Sequence, residues 1–265
     1  MRGSGCRVVN AGRRHALLLG TVMVAQVCPV MPASADTVRV LAAGATQGVL
    51  LRLEADFAAG NRHRLDAAFD TVGALRDQVL AGARADVVIL SQAGIDALAK
   101  AGKLAAGAPV DLGTISVALA VRTGSVLPDV SSSPEALKQT LLRAASIAHA
   151  DPARGATAGA HFAAVLQKLG IADELRSRVT ILAFGGDVIA GVAQGRFEIG
   201  VSQSSEIIAH PGVALAGNLP ERFAHRTRYL AAKTKTAGPA ADDFLGLLAG
   251  PQGRAVLQAM GLEAP

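Results

Sequence analysis

Apolar positions along this chain recur in two rhythms. Strand-length, mostly apolar runs stand at 37–43 (TVRVLAA), 86–90 (DVVIL) and 115–121 (ISVALAV), and a more mixed one at 64–69. Runs of this length, rich in β-branched residues, predict strands, and DVVIL lacks a polar face, as strands buried in parallel sheets do. Between them the spacing turns helical. Leu50, Leu53 and Phe57 share one face of a helix over 47–59, and further helices are expected at 73–82, closing on Gly82, and at 95–101. Strands alternating with helices in this order build a parallel sheet covered by helices.

After 121 the pattern restarts. A Ser-Ser-Ser-Pro turn at 131–134 opens a helix to 143, followed by a strand at 146–150 and a helix at 157–169. A strand is expected at 179–184, a helix at 188–194 and a strand at 198–201. The run 227–232 then leads back to the first half, and helices at 240–249 and 253–260 end the chain. Two α/β halves joined by two crossing strands predict a two-lobed, hinged α/β fold. Lobe I is expected at 36–116 and 228–265, and lobe II at 117–227. Ligands of such sheets gather at the C-terminal ends of the strands, here in the cleft between lobes.

Four junctions face that cleft: residues 44–47 (GATQ), 70–73 (DTVG), 151–159 (DPARGATAG), and 185–187 (GGD) together with 202–205 (SQSS). All are small, polar or glycine-rich. The first turn of a helix carries N–H groups without intrahelical partners and a partial positive charge, so several converging helix starts make an anion receptor without any lysine. The same residues also serve as ordinary caps, Thr46 and Thr71 above all. Candidate ligand contacts in these junctions are Thr46, Thr71, Arg154, Thr157, Gly159 and Asp187. The guanidinium of Arg154 suits a carboxylate, which it can grip with two parallel bonds. Tyr229, the only tyrosine, stands in the crossing run and can bring a hydroxyl to the cleft.

The first 35 residues change the charge picture. Arg2, Arg7, Arg13 and Arg14 precede a mostly apolar stretch at 16–27, and Ala33-Ser34-Ala35 fits the small-x-small pattern of a cleaved signal peptide. Export to the periplasm is therefore expected, with the mature chain starting at Asp36. Arg13-Arg14 also fits a twin-arginine signal. Cys28 offers a lipidation site, although Ala25-Gln26-Val27 makes a poor match to the motif before it. The full chain carries 26 basic and 21 acidic residues; without those four arginines the balance is 22 to 21. The basic excess thus belongs to the leader and does not point to nucleic acid. Aromatic residues make up 3% and tryptophan is absent, which leaves few stacking platforms for bases or sugars. Both cysteines, Cys6 and Cys28, lie in the leader, so the mature chain has no thiol chemistry. Walker, dinucleotide, HExxH and nucleophile-elbow motifs do not occur, and neither a cofactor nor a metal is expected.

Several stretches together carry a resemblance: VLAAGAT at 40–46, FDTVGALRDQV at 69–79, ADVVILS at 85–91, DPARGATAG at 151–159 with LQKLGI at 166–171, EIGVSQSSEI at 198–207 and GPQG at 250–253. In order and spacing the chain resembles the periplasmic molybdate-binding proteins of ABC importers. That resemblance implies a type II binding-protein fold with an anion in the cleft, and a membrane importer subunit as partner of a monomeric receptor. It also implies site positions at Ala45, at Val72 and Gly73, at Ala158 and at Gln203. Ala45 stands where the family has a serine, Val72 or Gly73 where it has another, and Gln203 near its tyrosine. The lost hydroxyls imply a divergent branch whose ligand is another small anion. One branch of that family resembles an aconitate isomerase.

Two readings stay open on the sequence. In the first, the lobes close over a small organic carboxylate or oxyanion and an importer takes it up. In the second, the cleft isomerises an unsaturated tricarboxylate by moving a proton next to a carboxylate. His149, His161 or Asp151 would then be the base and Arg154 the clamp. An adhesin on the same fold has no large apolar or aromatic patch in the sequence to support it.

Overall fold

The computed structural model of the chain describes residues 36–61 and 63–264. The leader, with its arginine pair, Cys6 and Cys28, lies outside the described residues.

The chain folds as β1 (Thr37–Ala43), α1 (Gln47–Asn61), β2 (Arg64–Asp70), α2 (Val72–Leu80), β3 (Val87–Ser91), α3 (Gln92–Lys100) and the long β4 (Val110–Arg122). It continues with α4 (Pro134–Arg143), β5 (Ile147–Ala150), α5 (Thr157–Lys168), α6 (Ala172–Leu175), β6 (Val179–Leu182), α7 (Gly185–Ala193), β7 (Ile199–Gln203), α8 (Ser204–Ile208) and β8 (Val213–Asn218). β9 (Arg226–Lys233), α9 (Ala240–Ala249) and α10 (Pro251–Ala259) complete it. Local chemistry explains where many of these begin. Thr71 and Ser133 cap α2 and α4 by accepting from the N–H groups of Ala74 and Ala136, and Pro134 fills the first turn of α4.

The strands run in the order β2-β1-β3-β9-β4-β7-β5-β6, with β8 also on β4. β1 is parallel to β2 and β3, and β5 is parallel to β6 and β7, as the βαβ pattern requires. β4 joins the two halves. Its first part, from Val110 to Ser116, pairs antiparallel with β9, and from Val117 it pairs antiparallel with β7. The apolar cores divide at the same place. One gathers Val40, Leu53, Phe57, Ile89, Leu112, Ile115 and Phe244. The other gathers Val117, Leu119, Leu141, Phe162, Leu175 and Phe223. The result is the two-lobed α/β architecture of type II binding proteins.

The expected run 115–121 is only the inner part of β4. The strand begins at Val110 and passes an irregularity at Gly113, whose φ is +105°. Gly113 lies against the Glu263 carbonyl, where any side chain would collide. A glycine inside a polar DLGT segment reads as loop, yet here it makes room for a neighbouring backbone. β8, α6 and α8 are further elements with no counterpart among the expected ones. Each has six residues or fewer, too few for a periodicity to show.

Candidate functional site

The strand ends leave a cleft of about 360 Å³, part of it open to solvent. Gly44 and Ala45 come from the turn after β1, and Asp70, Thr71 and Val72 from the β2–α2 junction. Lobe II supplies Thr157 and Ala158 at the start of α5, Gly185 at the start of α7, and Ser202, Gln203 and Glu206 around the end of β7; Tyr229 comes from β9. α2, α5 and α7 thus present their first turns to one space, and the turn of 3₁₀ helix at Gly44–Thr46 leads into α1 beside them. The partial positive charge of these starts favours an anion. Among the described residues no lysine, arginine or histidine lines the cleft; the ionisable lining groups are Asp70, Glu206 and Tyr229.

The lobes already touch along one rim. The Thr71 hydroxyl donates to the Arg154 carbonyl at 2.5 Å, and the Gly73 N–H to the Gly155 carbonyl at 3.4 Å. A side chain at Gly73 would place its Cβ 2.6 Å from the Arg154 carbonyl oxygen, so glycine is what lets the backbones meet. The Arg154 guanidinium donates to both Asp70 carboxylate oxygens, at 3.0 and 2.8 Å. On the opposite side the Ser205 hydroxyl donates to the Ala45 carbonyl at 2.6 Å. The structure is therefore a closed form.

The floor is organised differently. Gln203 is 3% exposed, and its Nε2 donates to the Thr157 hydroxyl at 2.8 Å and to the Thr227 hydroxyl at 3.4 Å. Its Oε1 is a buried polar atom without a hydrogen-bond partner, the only such side-chain atom among the described residues. Tyr229 is 1% exposed. Burial and the nearby Glu206 charge push its hydroxyl well above the usual tyrosine value, against a hydrogen bond with Thr157. Glu206 is half-buried as a residue, with its carboxyl packed inside. It accepts from the Ser202 hydroxyl and, at 3.3 Å, from the Gln203 N–H at the start of α8. Burial nevertheless holds this carboxyl above its ordinary range.

Ala45, Thr71, Val72, Thr157, Ala158 and Gln203 meet in the cleft lining. Five other residues singled out from the sequence stand elsewhere. The Thr46 hydroxyl turns back to the Ala43 carbonyl at 2.9 Å. Gly73 and Arg154 form the rim. Gly159 packs on the Ala150 carbonyl, where a side chain would collide, and lets α5 approach β5. Asp187 borders a neighbouring groove with Arg52 and His210. None of the three residues proposed as a base lines the cleft. His149 is buried, with Nδ1 2.9 Å from the Ala150 carbonyl and its ring edge-on to Phe162, and burial lowers its pKa. His161 pairs with the Phe223 carbonyl at 2.8 Å and stacks on His225. Asp151 caps a turn by accepting from the Ala153 N–H at 2.8 Å. The residue sequence reasoning missed is Glu206. Its position three after Gln203 reads as a helix cap, and only the fold brings Gly44 and Gly185 against it. No cluster of three metal-ligating side chains occurs among the described residues.

Comparison with known proteins follows the same lines. The chain is 29% identical over 259 residues to the aconitate isomerase of a Pseudomonas species, covering 95% of this chain and 97% of that one. Among solved structures it superposes on the periplasmic molybdate-binding protein of Azotobacter vinelandii with a TM-score of 0.74 at 21% identity, over 86% of this chain and 99% of that one. The sulfate-binding protein of Mycobacterium tuberculosis superposes with a TM-score of 0.66 at 19% identity, over 86% of each chain. At these identities the structural matches speak for the fold. The model of the bacterial extracellular solute-binding proteins matches residues 38–263. With nearly the whole described fold inside that match, the chain belongs to the bacterial extracellular solute-binding protein family.

Proposed function

We propose that this protein is a periplasmic receptor that closes over a small organic carboxylate and hands it to an ABC importer. The observation that carries this reading is the cleft floor: three helix starts face a space whose lining, among the described residues, holds no cationic side chain. Gln203 Oε1, buried there without a partner, costs about 1–3 kcal/mol, which a water or a ligand hydroxyl that donates to it removes. Ala45 and Val72 bring no hydroxyl to the cleft, so a tetrahedral oxyanion would meet fewer donors than its four oxygens need, whereas a planar carboxylate has only two oxygens to satisfy. Arg154 acts through closure: its Nη2 donates to both Asp70 oxygens across the rim. A thermal-shift panel of tricarballylate, trans-aconitate, malate, molybdate and sulfate tests this. Stabilisation by the carboxylates above the oxyanions is expected; a panel without any shift refutes it.

A second reading, isomerisation of an unsaturated tricarboxylate, is favoured by the full-length likeness to the Pseudomonas enzyme and by a carboxyl, Glu206, in the cleft lining. Glu206 then replaces the histidines as the group positioned to move a proton. Incubation of the pure protein with trans-aconitate, followed by chromatography for the cis isomer, separates the two. Turnover that disappears in Glu206→Gln establishes the enzyme; no turnover above background leaves the receptor.

A further inference from the structure

Glu206 is at odds with its surroundings. A cleft built to attract an anion holds a carboxyl in its lining and no cationic side chain beside it. The carboxyl is also enclosed from both lobes. A side chain at Gly185 would run into both of its oxygens, and a Cβ at Gly44 would lie 2.9 Å from Oε1. Two glycines from opposite sides of the cleft thus leave a slot that a carboxyl fills once the lobes close.

The charged neighbours do not resolve the conflict. Tyr229 on β9 is a neutral phenol at physiological pH, given where burial holds it. Asp70 at the end of β2 is engaged by Arg154. Glu206 also lines the neighbouring groove, which Arg52 from α1, Asp187 from α7 and His210 after α8 border, but none of these pairs with its carboxyl. The groups that favour the ionised form are the Ser202 hydroxyl and the Gln203 N–H, and burial outweighs both. An ionised Glu206 would face the bound anion in a closed space of low dielectric, where like charges repel strongly. As a carboxylic acid it does the reverse: one oxygen keeps accepting from Ser202 and Gln203, and the O–H is available to the ligand.

We propose that the cleft takes up its anionic ligand together with one proton, held on the Glu206 carboxyl, which donates a hydrogen bond to the bound anion. The inference rests on the receptor reading and adds to it a coupling between ligand and proton. No bond of the ligand changes. The proton comes from solvent, and the negative charge that the ligand adds to the cleft is reduced by one. Among anions, the site favours those with an oxygen free to accept from a carboxylic acid.

Isothermal titration of the full mature chain with tricarballylate and with trans-aconitate decides the matter, run from pH 7 to 9 in HEPES and in Tris. These buffers differ in ionisation heat, so the difference in observed heat counts protons. Uptake is expected to rise toward one proton per ligand with increasing pH. The apparent Kd is expected to weaken by up to about tenfold per pH unit once the free carboxyl ionises. Glu206→Gln keeps the shape, the accepting oxygen and a donor; it is expected to bind with uptake near zero and a flat pH profile. Binding by the wild type with buffer-independent heat over the whole range overturns the inference and leaves the receptor reading standing. Persistence of the uptake in Glu206→Gln also overturns it. No heat from either probe overturns the receptor reading itself. Should the variant fail to fold, the wild-type proton count decides alone.

Discussion

The rim and the floor of the cleft solve different problems with similar residues. At the rim, Asp70 and Arg154 satisfy each other, and 43% of the arginine side chain remains exposed. At the floor, Gln203 and Tyr229 are buried beside the half-buried Glu206 and Thr157, and one polar end is left without a partner. Charge at the rim is complete without a ligand, so it serves closure. Polarity at the floor is incomplete, so it serves recognition. The strongly charged residue that draws attention in the sequence is thus the less informative one.

The largest expected effect comes from forcing the rim apart. Gly73→Val places side-chain atoms where the Arg154 carbonyl lies 2.6 Å from a Cβ. Overpacking of this kind costs about 1–3 kcal/mol, so ligand affinity is expected to fall roughly 10- to 100-fold. The ligand-free protein, which can relieve the clash by opening, is expected to keep its melting temperature. An unchanged affinity would mean that the closed rim is not part of the bound state.

At the floor, Gln203→Ala removes the unmatched amide and its bonds to Thr157 and Thr227. Calorimetry is expected to show a loss of about tenfold in affinity, near 1.4 kcal/mol. Arg154→Ala and Asp70→Asn should each cost less, at most about 1 kcal/mol, because the pair is solvent-exposed. The double variant should lose no more than either single one, since both remove the same bridge. Additive losses would place the arginine on the ligand instead of on Asp70.

The smallest effect is in stability against pH. Burial lowers His149 and His225 below their ordinary 6.5, with His161 adding to the effect on His225. Both are neutral in the fold and take up protons more readily when unfolded. Their contribution is full above pH 6.5 and is lost as pH falls through the folded values. Glu206 is shifted the other way from 4.5, so its contribution is lost as pH rises through its raised value. Thermal melts should lose stability at acid pH through the histidines and with rising pH through Glu206, and Glu206→Gln should remove only the second loss.

Much of the architecture was legible because it is locally encoded. Thr71 before an apolar-periodic segment announces a helix start, and Ser133-Pro134 does the same. The strands buried on both faces announce themselves through unbroken apolar runs. The site was legible only as far as it follows from those starts, through Thr71, Val72, Thr157 and Ala158. What stayed hidden depends on distant pairs. Arg154 meets Asp70 across 84 residues, and Ser205 meets Ala45 across 160. Glu206 was masked by its own local logic: its spacing from Gln203 is that of a capping box, which explains the residue without any reference to the cleft.

A crystal structure of the protein with tricarballylate tests the central claim most directly. The account places a ligand carboxylate on the first turns of α2 and α5, with another ligand oxygen accepting from the Glu206 carboxyl, and with Arg154 still on Asp70. Ligand density confined to the groove beside Arg52 and His210, or a ligand carboxylate paired with Arg154 in place of Asp70, would contradict it.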